Sequence, residues 1–155
     1  MIHVSDSQIV WRLIMSAVLS GAVGLEREMR GRSAGLRTHI LVGLSSCLLM
    51  VLSIFVAQSF GEPYVFDPGR IAAGVVTGIG FLGAGTIIRF GESVKGLTTA
   101  ASLWAVAALG LAIGVGFYVA AYASTALILI TLLILSKVER NIAKGGKTGK
   151  SGGAA

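Results

Sequence analysis

The residues most able to do chemistry are concentrated in one short segment, GLEREMRGRSAGLRTH, from Gly24 to His39. The 155-residue chain has 13 basic and 7 acidic side chains. Six of these lie in the segment: Glu26, Arg27, Glu28, Arg30, Arg32 and Arg37. Guanidinium groups beside carboxylates can form ion pairs or bind an anion, but a loop that a membrane protein exposes to water carries the same residue types. Two hypotheses follow: a binding centre, or a polar loop between apolar helices.

A second polar group lies in the sequence FDPGR, residues 66–70. Pro68 suits the first turn of a helix, which predicts that Asp67 is an N-cap whose carboxylate accepts a free backbone N–H. The alternative is a magnesium site with Glu62 as a second acid, because Mg²⁺ prefers carboxylate oxygens and water. His39 has no cysteine or carboxylate at ligand spacing. Asp67 is therefore the one candidate metal ligand, and no other metal site is expected.

The segment KGLTTAASLW, residues 95–104, brings hydroxyl groups to the start of a predicted helix. They belong to Thr98, Thr99 and Ser102. Such hydroxyls can bond to their own backbone or across helices, or they can line a polar cavity. The sequence leaves both interpretations open.

Glycines in the third apolar stretch invite comparison with a nucleotide site, since GIGFLG at residues 78–83 matches G-x-G-x-x-G. A dinucleotide site also needs a preceding strand and a later acid, and this copy lies inside an apolar stretch. We interpret the glycines instead as a surface for close helix packing. They are Gly74, Gly78, Gly80, Gly83 and Gly85.

Small residues at helical spacing predict packing faces on two further helices. The first helix carries Ser16, Ser20 and Gly24. The fourth carries Ala101, Ala105, Ala108, Ala112 and Gly116.

Several function classes are not expected from these residues. There is no Ser-His-Asp or Cys-His pattern and no pair of carboxylates within the apolar stretches, so neither enzymatic activity nor a cofactor is predicted. The net charge is +6, but the sequence lacks the polar surface with aromatic side chains that would bind nucleic acid. Attraction to anionic lipid explains the positive charge better. The single cysteine, Cys47, is predicted to be a small buried apolar residue.

The composition predicts an all-α, polytopic membrane helix bundle. The chain is 54% hydrophobic and 13% charged, with a mean hydropathy of +0.84, which is unusual for a soluble domain. Four apolar stretches cover Ile9–Leu25, Leu36–Ala57, Ile71–Ile88 and Leu97–Ser136. The last has 40 residues without a charge and counts as two helices, because one span needs about 20 residues. A break near residues 114–116 gives five transmembrane helices.

The domain boundaries follow from the same pattern. Residues 1–136 form the predicted transmembrane domain. Residues 137–155 are a basic, Gly-rich tail with no apolar periodicity, which predicts a disordered cytoplasmic segment.

Charge asymmetry predicts the topology, with the N-terminus outside and the C-terminus inside the cell. In this orientation the inner loops and tail hold eleven basic residues, and the outer loops hold only Arg70. The first helix is predicted to be retained, because its positive charges follow the apolar core instead of preceding it as in a signal peptide. Arg12, within that helix, is expected to extend to the membrane surface or to pair with Asp6.

Three blocks of the chain resemble the MgtC/SapB family of bacterial inner-membrane proteins. The blocks are GLEREMRGRSAGLRTH, DPGRIAAGVVTGIGFLGAG and VKGLTTAASLWAVAALG, and the resemblance extends from about Ile9 to Tyr122. It implies a multi-helix, multi-pass protein of the bacterial inner membrane. For some members it implies a link to growth in low magnesium, to survival inside host cells, and to restraint of the F-type ATP synthase. It implies no enzymatic activity.

The family pattern also indicates which residues carry function. Its functional candidates in this chain are Glu26, Arg27, Arg37, Asp67, Arg70, Thr98, Thr99 and Trp104, whereas Glu28, Arg30 and Arg32 look replaceable. Virulence-associated members have a soluble C-terminal domain that this sequence lacks, which favours the shorter SapB-like branch and argues against a virulence role.

Two functional hypotheses are carried forward. The first is a regulatory or homeostasis protein, linked to magnesium limitation, that binds another membrane protein or a second copy of itself. The alternative is a small cation transporter or channel for Mg²⁺.

Overall fold

The computed structural model describes residues 5–59 and 67–145, which form five helices and one short hairpin. The elements in chain order are α1 (Asp6–Met29), α2 (Leu36–Ser59), α3 (Gly69–Thr86), β1 (Ile88–Phe90), β2 (Ser93–Lys95), α4 (Leu97–Val115) and α5 (Tyr118–Gly145). The all-α membrane bundle predicted from the sequence is confirmed. The side of the membrane on which each terminus lies stays a prediction.

Among residues 5–59 and 67–145, three helices are long and apolar enough to cross a membrane by length and composition: α1, α2 and α4. Within the described residues, α5 contributes a shorter apolar helix, Tyr118–Ile134. α4 ends where Gly116 adopts a left-handed conformation (φ +93°), which glycine tolerates without steric cost, and α5 begins two residues later. The predicted break within the long apolar stretch is therefore confirmed.

The centre of the bundle is a tight packing of α1, α2 and α4. A Cβ placed on Gly110 of α4 would lie 2.3 Å from the backbone oxygen of Gly43 on α2. A Cβ on Gly114 would lie 2.6 Å from the Cβ of Met50, and one on Gly24 would lie 2.8 Å from the Cβ of His39. Because these positions have no side chain, the helix backbones can approach each other closely.

The small-residue face predicted on α1 is confirmed, since Ser16, Ser20 and Gly24 are all buried. The face predicted on α4 is wrong. Ala101 and Ala108 are exposed, and α4 instead buries residues such as Ser102. The buried face of α4 also includes Gly110 and Gly114, which permit a closer approach to α2 than a row of alanines would.

The glycines of α3 do not pack inside the chain as a set. A Cβ on Gly83 would lie 3.6 Å from the Cβ of Ala100, which is an ordinary contact between α3 and α4. For the remaining four, a Cβ would meet no atom within 4 Å. These four are Gly74, Gly78, Gly80 and Gly85. Their packing role is therefore not met within the described residues and stays a prediction for a contact with another chain.

The last helix continues beyond the predicted end of the membrane domain at Ser136. α5 extends to Gly145, so the first part of the basic tail is helical rather than disordered. Residues 146–155, the rest of that tail, lie outside the described residues, as does Glu62.

Candidate functional site at one end of the bundle

The end of α1 carries a buried ion cluster formed by Glu26, Arg27 and Arg30. The Nε of Arg27 donates a hydrogen bond of 2.5 Å to Glu26 Oε2, and the Arg27 Nη2 pairs with the same oxygen. The Nε of Arg30 pairs with Glu26 Oε1, one helical turn away. Arg27 is only 2% exposed and Glu26 only 8%. A carboxylate that accepts from two guanidinium groups compensates the cost of burying them, which an isolated charge could not do.

The start of α2 is joined to the end of α1 through Glu28. Its Oε2 accepts a hydrogen bond of 2.9 Å from the backbone N–H of Leu36, the first residue of α2. A Cβ on Gly35 would lie 1.7 Å from that same carboxylate oxygen, so a larger residue there would displace the Glu28 side chain from this contact. The structure therefore gives definite contacts to Glu28 and Arg30, two residues whose replaceability was inferred from the family pattern alone.

The start of α2 is joined to the start of α4 by a buried histidine. His39 is fully buried, and its Nδ1 lies 2.8 Å from the carbonyl oxygen of Gly35. Its Nε2 lies 3.0 Å from the Ser102 hydroxyl, which is also 2.9 Å from the carbonyl of Thr99. His39 also packs against α1, because a Cβ on Gly24 would lie 2.8 Å from the Cβ of His39. His39 therefore contacts α1 and α4 from the start of α2.

The hydrogen-bond partners of His39 restrict which of its ring nitrogens can carry a proton. The Gly35 carbonyl can only accept, so Nδ1 of His39 carries a proton. The Ser102 hydroxyl has a single hydrogen. If it donates to Nε2, the imidazole is neutral; if it donates to Thr99, Nε2 must donate instead and the ring is charged. The orientation of the Ser102 hydroxyl therefore follows the charge of His39.

Sequence reasoning missed the pairing of His39 with Ser102, because the two residues are 63 positions apart and share no local motif. A serine beside a histidine can be an activated nucleophile. Here Nδ1 of His39 faces a backbone carbonyl, not the carboxylate that orients the base in a catalytic triad. The pair is buried and joins α2 to α4.

Arg12 occupies the other end of the bundle, where α4 ends. It is 7% exposed, and its Nη1 donates a hydrogen bond of 2.7 Å to the carbonyl oxygen of Gly114. The expectation that Arg12 extends to the membrane surface or pairs with Asp6 is therefore wrong. A cation at a helix C-terminus satisfies a free carbonyl and opposes the partial negative charge of the helix dipole. No local pattern in α1 reveals this partner, 102 residues away.

Asp67 lies one residue before Pro68, which is the N-cap of α3, so the predicted N-cap position is wrong by one residue, although the predicted hydrogen bond to a free backbone N–H is formed. Its Oδ1 accepts a hydrogen bond of 2.8 Å from the backbone N–H of Gly69, and both Asp67 and Arg70 are exposed. Among residues 5–59 and 67–145, no group of three or more His, Cys, Asp or Glu side chains is placed to hold a metal ion. The role of Asp67 as a metal ligand stays a prediction.

The other functional candidates are divided between core and surface. Thr99 is buried at the start of α4, whereas Arg37 and Thr98 are exposed. The ring of Trp104 is 53% exposed on the outer side of α4. Thr98 and Ser102 line a cavity of about 290 Å³ between α4 and α5. The structure thus buries Glu26, Arg27 and Thr99 at one end of the bundle, where Arg37 and Thr98 lie exposed. Asp67 and Arg70 lie at the opposite end, at the start of α3.

A larger apolar groove lies between α2 and α3. Its volume is about 620 Å³, and its walls include Leu41 and Leu49 of α2 and Leu82 of α3. Gly74 and Gly78 also line it, so the backbone of α3 is accessible from the groove. Helices associate in membranes where small residues allow backbones to approach, and this groove offers such a surface without an occupant from the described chain.

Comparisons with known proteins identify several relatives of this chain. The profile of the MgtC family matches residues 13–141. YhiD from Escherichia coli (strain K12), whose name proposes a magnesium transporter, is 47% identical over 132 residues, or 83% of this chain and 60% of that protein. Protein SapB from Bacillus subtilis (strain 168) is 42% identical over 140 residues, or 88% of this chain and 60% of that protein. No solved structure matches the chain.

Protein MgtC from Salmonella typhimurium (strain LT2) is also 42% identical, over 130 residues that are 83% of this chain and 53% of that protein. The chain therefore spans between 53% and 60% of the length of these relatives. Its identity to SapB and to MgtC is equal, so the expected closeness to the SapB branch stays a prediction.

Proposed function

This chain belongs to the MgtC family of magnesium-related bacterial membrane proteins, and on that premise we propose that it is a multi-pass inner-membrane regulator that binds another membrane protein. Its role is in homeostasis under magnesium limitation, and it carries out no enzymatic step. The groove between α2 and α3 is the proposed binding surface. The resemblance to the family makes the F-type ATP synthase the first partner to examine.

The observation that carries this proposal is the exposed glycine surface of α3. Gly74 and Gly78 lie one helical turn apart and would meet no atom if each bore a Cβ, although both line a groove of about 620 Å³. Glycine costs a helix roughly 1 kcal/mol relative to alanine. No contact within the described chain offsets this cost. A helix of another protein that packed in the groove would offset it, because the glycines let the two backbones approach closely.

The packing of the core supports a regulator rather than a conduit. α1, α2 and α4 approach each other at Gly24, Gly110 and Gly114 so closely that a methyl group would clash with a neighbouring helix. Such contact leaves little room for a hydrated cation, and Mg²⁺ gives up its water reluctantly.

In-cell photocrosslinking tests the proposed surface. We expect a photoreactive amino acid at Leu82, in the groove, to form a discrete adduct with one membrane protein. The same probe at Val18, which is 63% exposed on α1 outside the groove, is the matched control. Adding Gly78→Leu should fill the groove and remove the adduct without disturbing the fold, since that position has free space. Equal adducts from Leu82 and Val18, or an adduct that survives Gly78→Leu, would contradict the proposal.

The second candidate function is cation transport, which is favoured by a cavity lined with hydroxyl groups. Thr98 and Ser102 line the cavity between α4 and α5, and hydroxyl groups can replace part of the water shell of a cation. Asp67 is exposed at the opposite end of the bundle, where it could attract one. The name of the relative YhiD proposes magnesium transport for that protein.

A further inference from the structure

The hairpin between α3 and α4 is exposed on both faces. β1 and β2 pair antiparallel, with Ile88 opposite Lys95, Arg89 opposite Val94 and Phe90 opposite Ser93. All six residues are exposed. An isolated two-stranded hairpin is only marginally stable in water. This hairpin therefore needs a stabilising contact that the described residues of its own chain do not provide.

One face of the hairpin combines apolar side chains with a cation. Alternation along the strands places Ile88, Phe90 and Lys95 on the same face. Ile88 is 52% exposed and Phe90 is 62% exposed. The Lys95 ammonium lies 5.7 Å from the centre of the Phe90 ring. An aromatic body with a charged group beside it is typical of side chains at the boundary between hydrocarbon and headgroups.

The base of the hairpin is fixed at a helix that is long and apolar enough to cross the membrane. α4 begins at Leu97, directly after the hairpin, and belongs to the membrane-crossing class by length and composition. Gly96 adopts φ +92°, and a Cβ on it would lie 1.9 Å from the carbonyl oxygen of Thr86, the last residue of α3. This close approach closes the base of the hairpin and fixes its position relative to α3 and α4.

Charge indicates which surface the hairpin meets. Arg89 and Lys95 are basic, and Glu92 in the turn is the one acid between α3 and α4. The Nε of Arg89 donates a hydrogen bond of 2.9 Å to the carbonyl of Gly91, so its guanidinium is held at the turn. Arg32 and Arg37 add exposed positive charge at the same end of the bundle.

We propose that this hairpin is a membrane-surface anchor: Ile88 and Phe90 enter the boundary of the bilayer, and Lys95, on the same face, binds the phosphates of anionic phospholipids. Apolar side chains and basic residues act together in such anchors, because insertion brings the charges close to the headgroups. The anchor holds the starting end of α4, where Ser102 contacts His39, at a fixed depth.

The test places a reporter on each face of the hairpin in the full chain. Ile88→Cys and Val94→Cys are labelled separately with an environment-sensitive dye and reconstituted into vesicles of phosphatidylcholine with or without phosphatidylglycerol. Cys47 is fully buried, and the unsubstituted chain measures its background labelling. Quenching by a lipid-borne nitroxide is compared with quenching by aqueous iodide.

We expect the label at residue 88 to be quenched mainly from the lipid and the label at residue 94 mainly by iodide, with the difference larger when phosphatidylglycerol is present. Removing the charge with Lys95→Gln should lower the ratio of lipid to iodide quenching at residue 88 about fivefold, whereas Arg89→Gln, on the opposite face, should change this ratio less, and salt should weaken the effect of phosphatidylglycerol. Circular dichroism of the same samples checks that the helices remain.

Three outcomes would overturn the proposal. One is equal iodide quenching at both positions. Another is a ratio that does not depend on phosphatidylglycerol. The third is a label at residue 88 that is shielded from both quenchers, because that would indicate a protein cover rather than lipid.

Discussion

Replacing Gly110 with alanine is expected to force α4 away from α2 and to lower the free energy of unfolding by about 3 kcal/mol. The added methyl group would lie 2.3 Å from the Gly43 carbonyl oxygen and 3.1 Å from the backbone nitrogen of Cys47. These are backbone atoms, so no side-chain rotation relieves the clash, and the helices themselves must move. Unfolding of the purified protein in mixed micelles, followed by tryptophan fluorescence during titration with a denaturing detergent, measures the loss.

Gly78→Ala is the matched control for this experiment. It gains the same helix propensity of roughly 1 kcal/mol, but its methyl group would meet no atom within 4 Å. The difference between the two variants therefore isolates the contact between α2 and α4. If both variants unfold at the same detergent concentration, the close approach of these helices is not the basis of the core.

The second large effect is expected at the buried ion cluster. Glu26→Ala should lower the free energy of unfolding by about 3 kcal/mol, because it leaves the guanidinium of Arg27 buried without its counter-charge. Glu92→Ala, an exposed acid in the hairpin turn, is the control and should change stability by less than about 0.5 kcal/mol. The same detergent titration measures both.

A second substitution separates the cost of an unpaired charge from the loss of packing. Arg27→Met in the Glu26→Ala background removes the unpaired cation but keeps most of the apolar stem. We expect it to recover part of the lost stability, and the interaction energy of the double-mutant cycle gives the coupling. A double variant less stable than Glu26→Ala alone would show that Arg27 is retained for contacts other than this pair.

The fold was largely predictable because its determinants are local. A charge-free stretch of 40 residues is too long for one helix and contains a glycine pair, which located the turn at Gly116. The sequence Asp67-Pro68 located the start of α3 through a hydrogen bond that spans two residues. Patterns of this kind lie within one helical turn, where spacing along the chain fixes position in space.

The candidate site was predictable only in part, because its contacts join distant segments. Glu26 and Arg27 were identified from a motif, but the partner of His39 is Ser102 and the partner of Arg12 is Gly114. The alanine face of α4 was misassigned for a related reason. Alanines and glycines both satisfy a small-residue pattern, and only the neighbouring backbone decides which of them is buried.

The surroundings of each glycine indicate whether its substitution should affect stability or partner binding. Substitutions at Gly24, Gly110 or Gly114 should act through stability, because they separate packed helices. Substitutions at Gly74 or Gly78 should not destabilise the fold and should act on partner binding, because these positions face open space. The two classes of glycine look alike in the sequence and differ only in what surrounds them.

Ion flux through the purified protein tests the central claim most directly. The chain is reconstituted into liposomes that contain a magnesium-sensitive dye, and Mg²⁺ is added outside with and without a membrane potential. The proposed regulator should give the same dye signal as empty liposomes, and Asp67→Asn should change nothing. Mg²⁺ entry that depends on the protein and disappears in Asp67→Asn would contradict the regulator and establish transport instead.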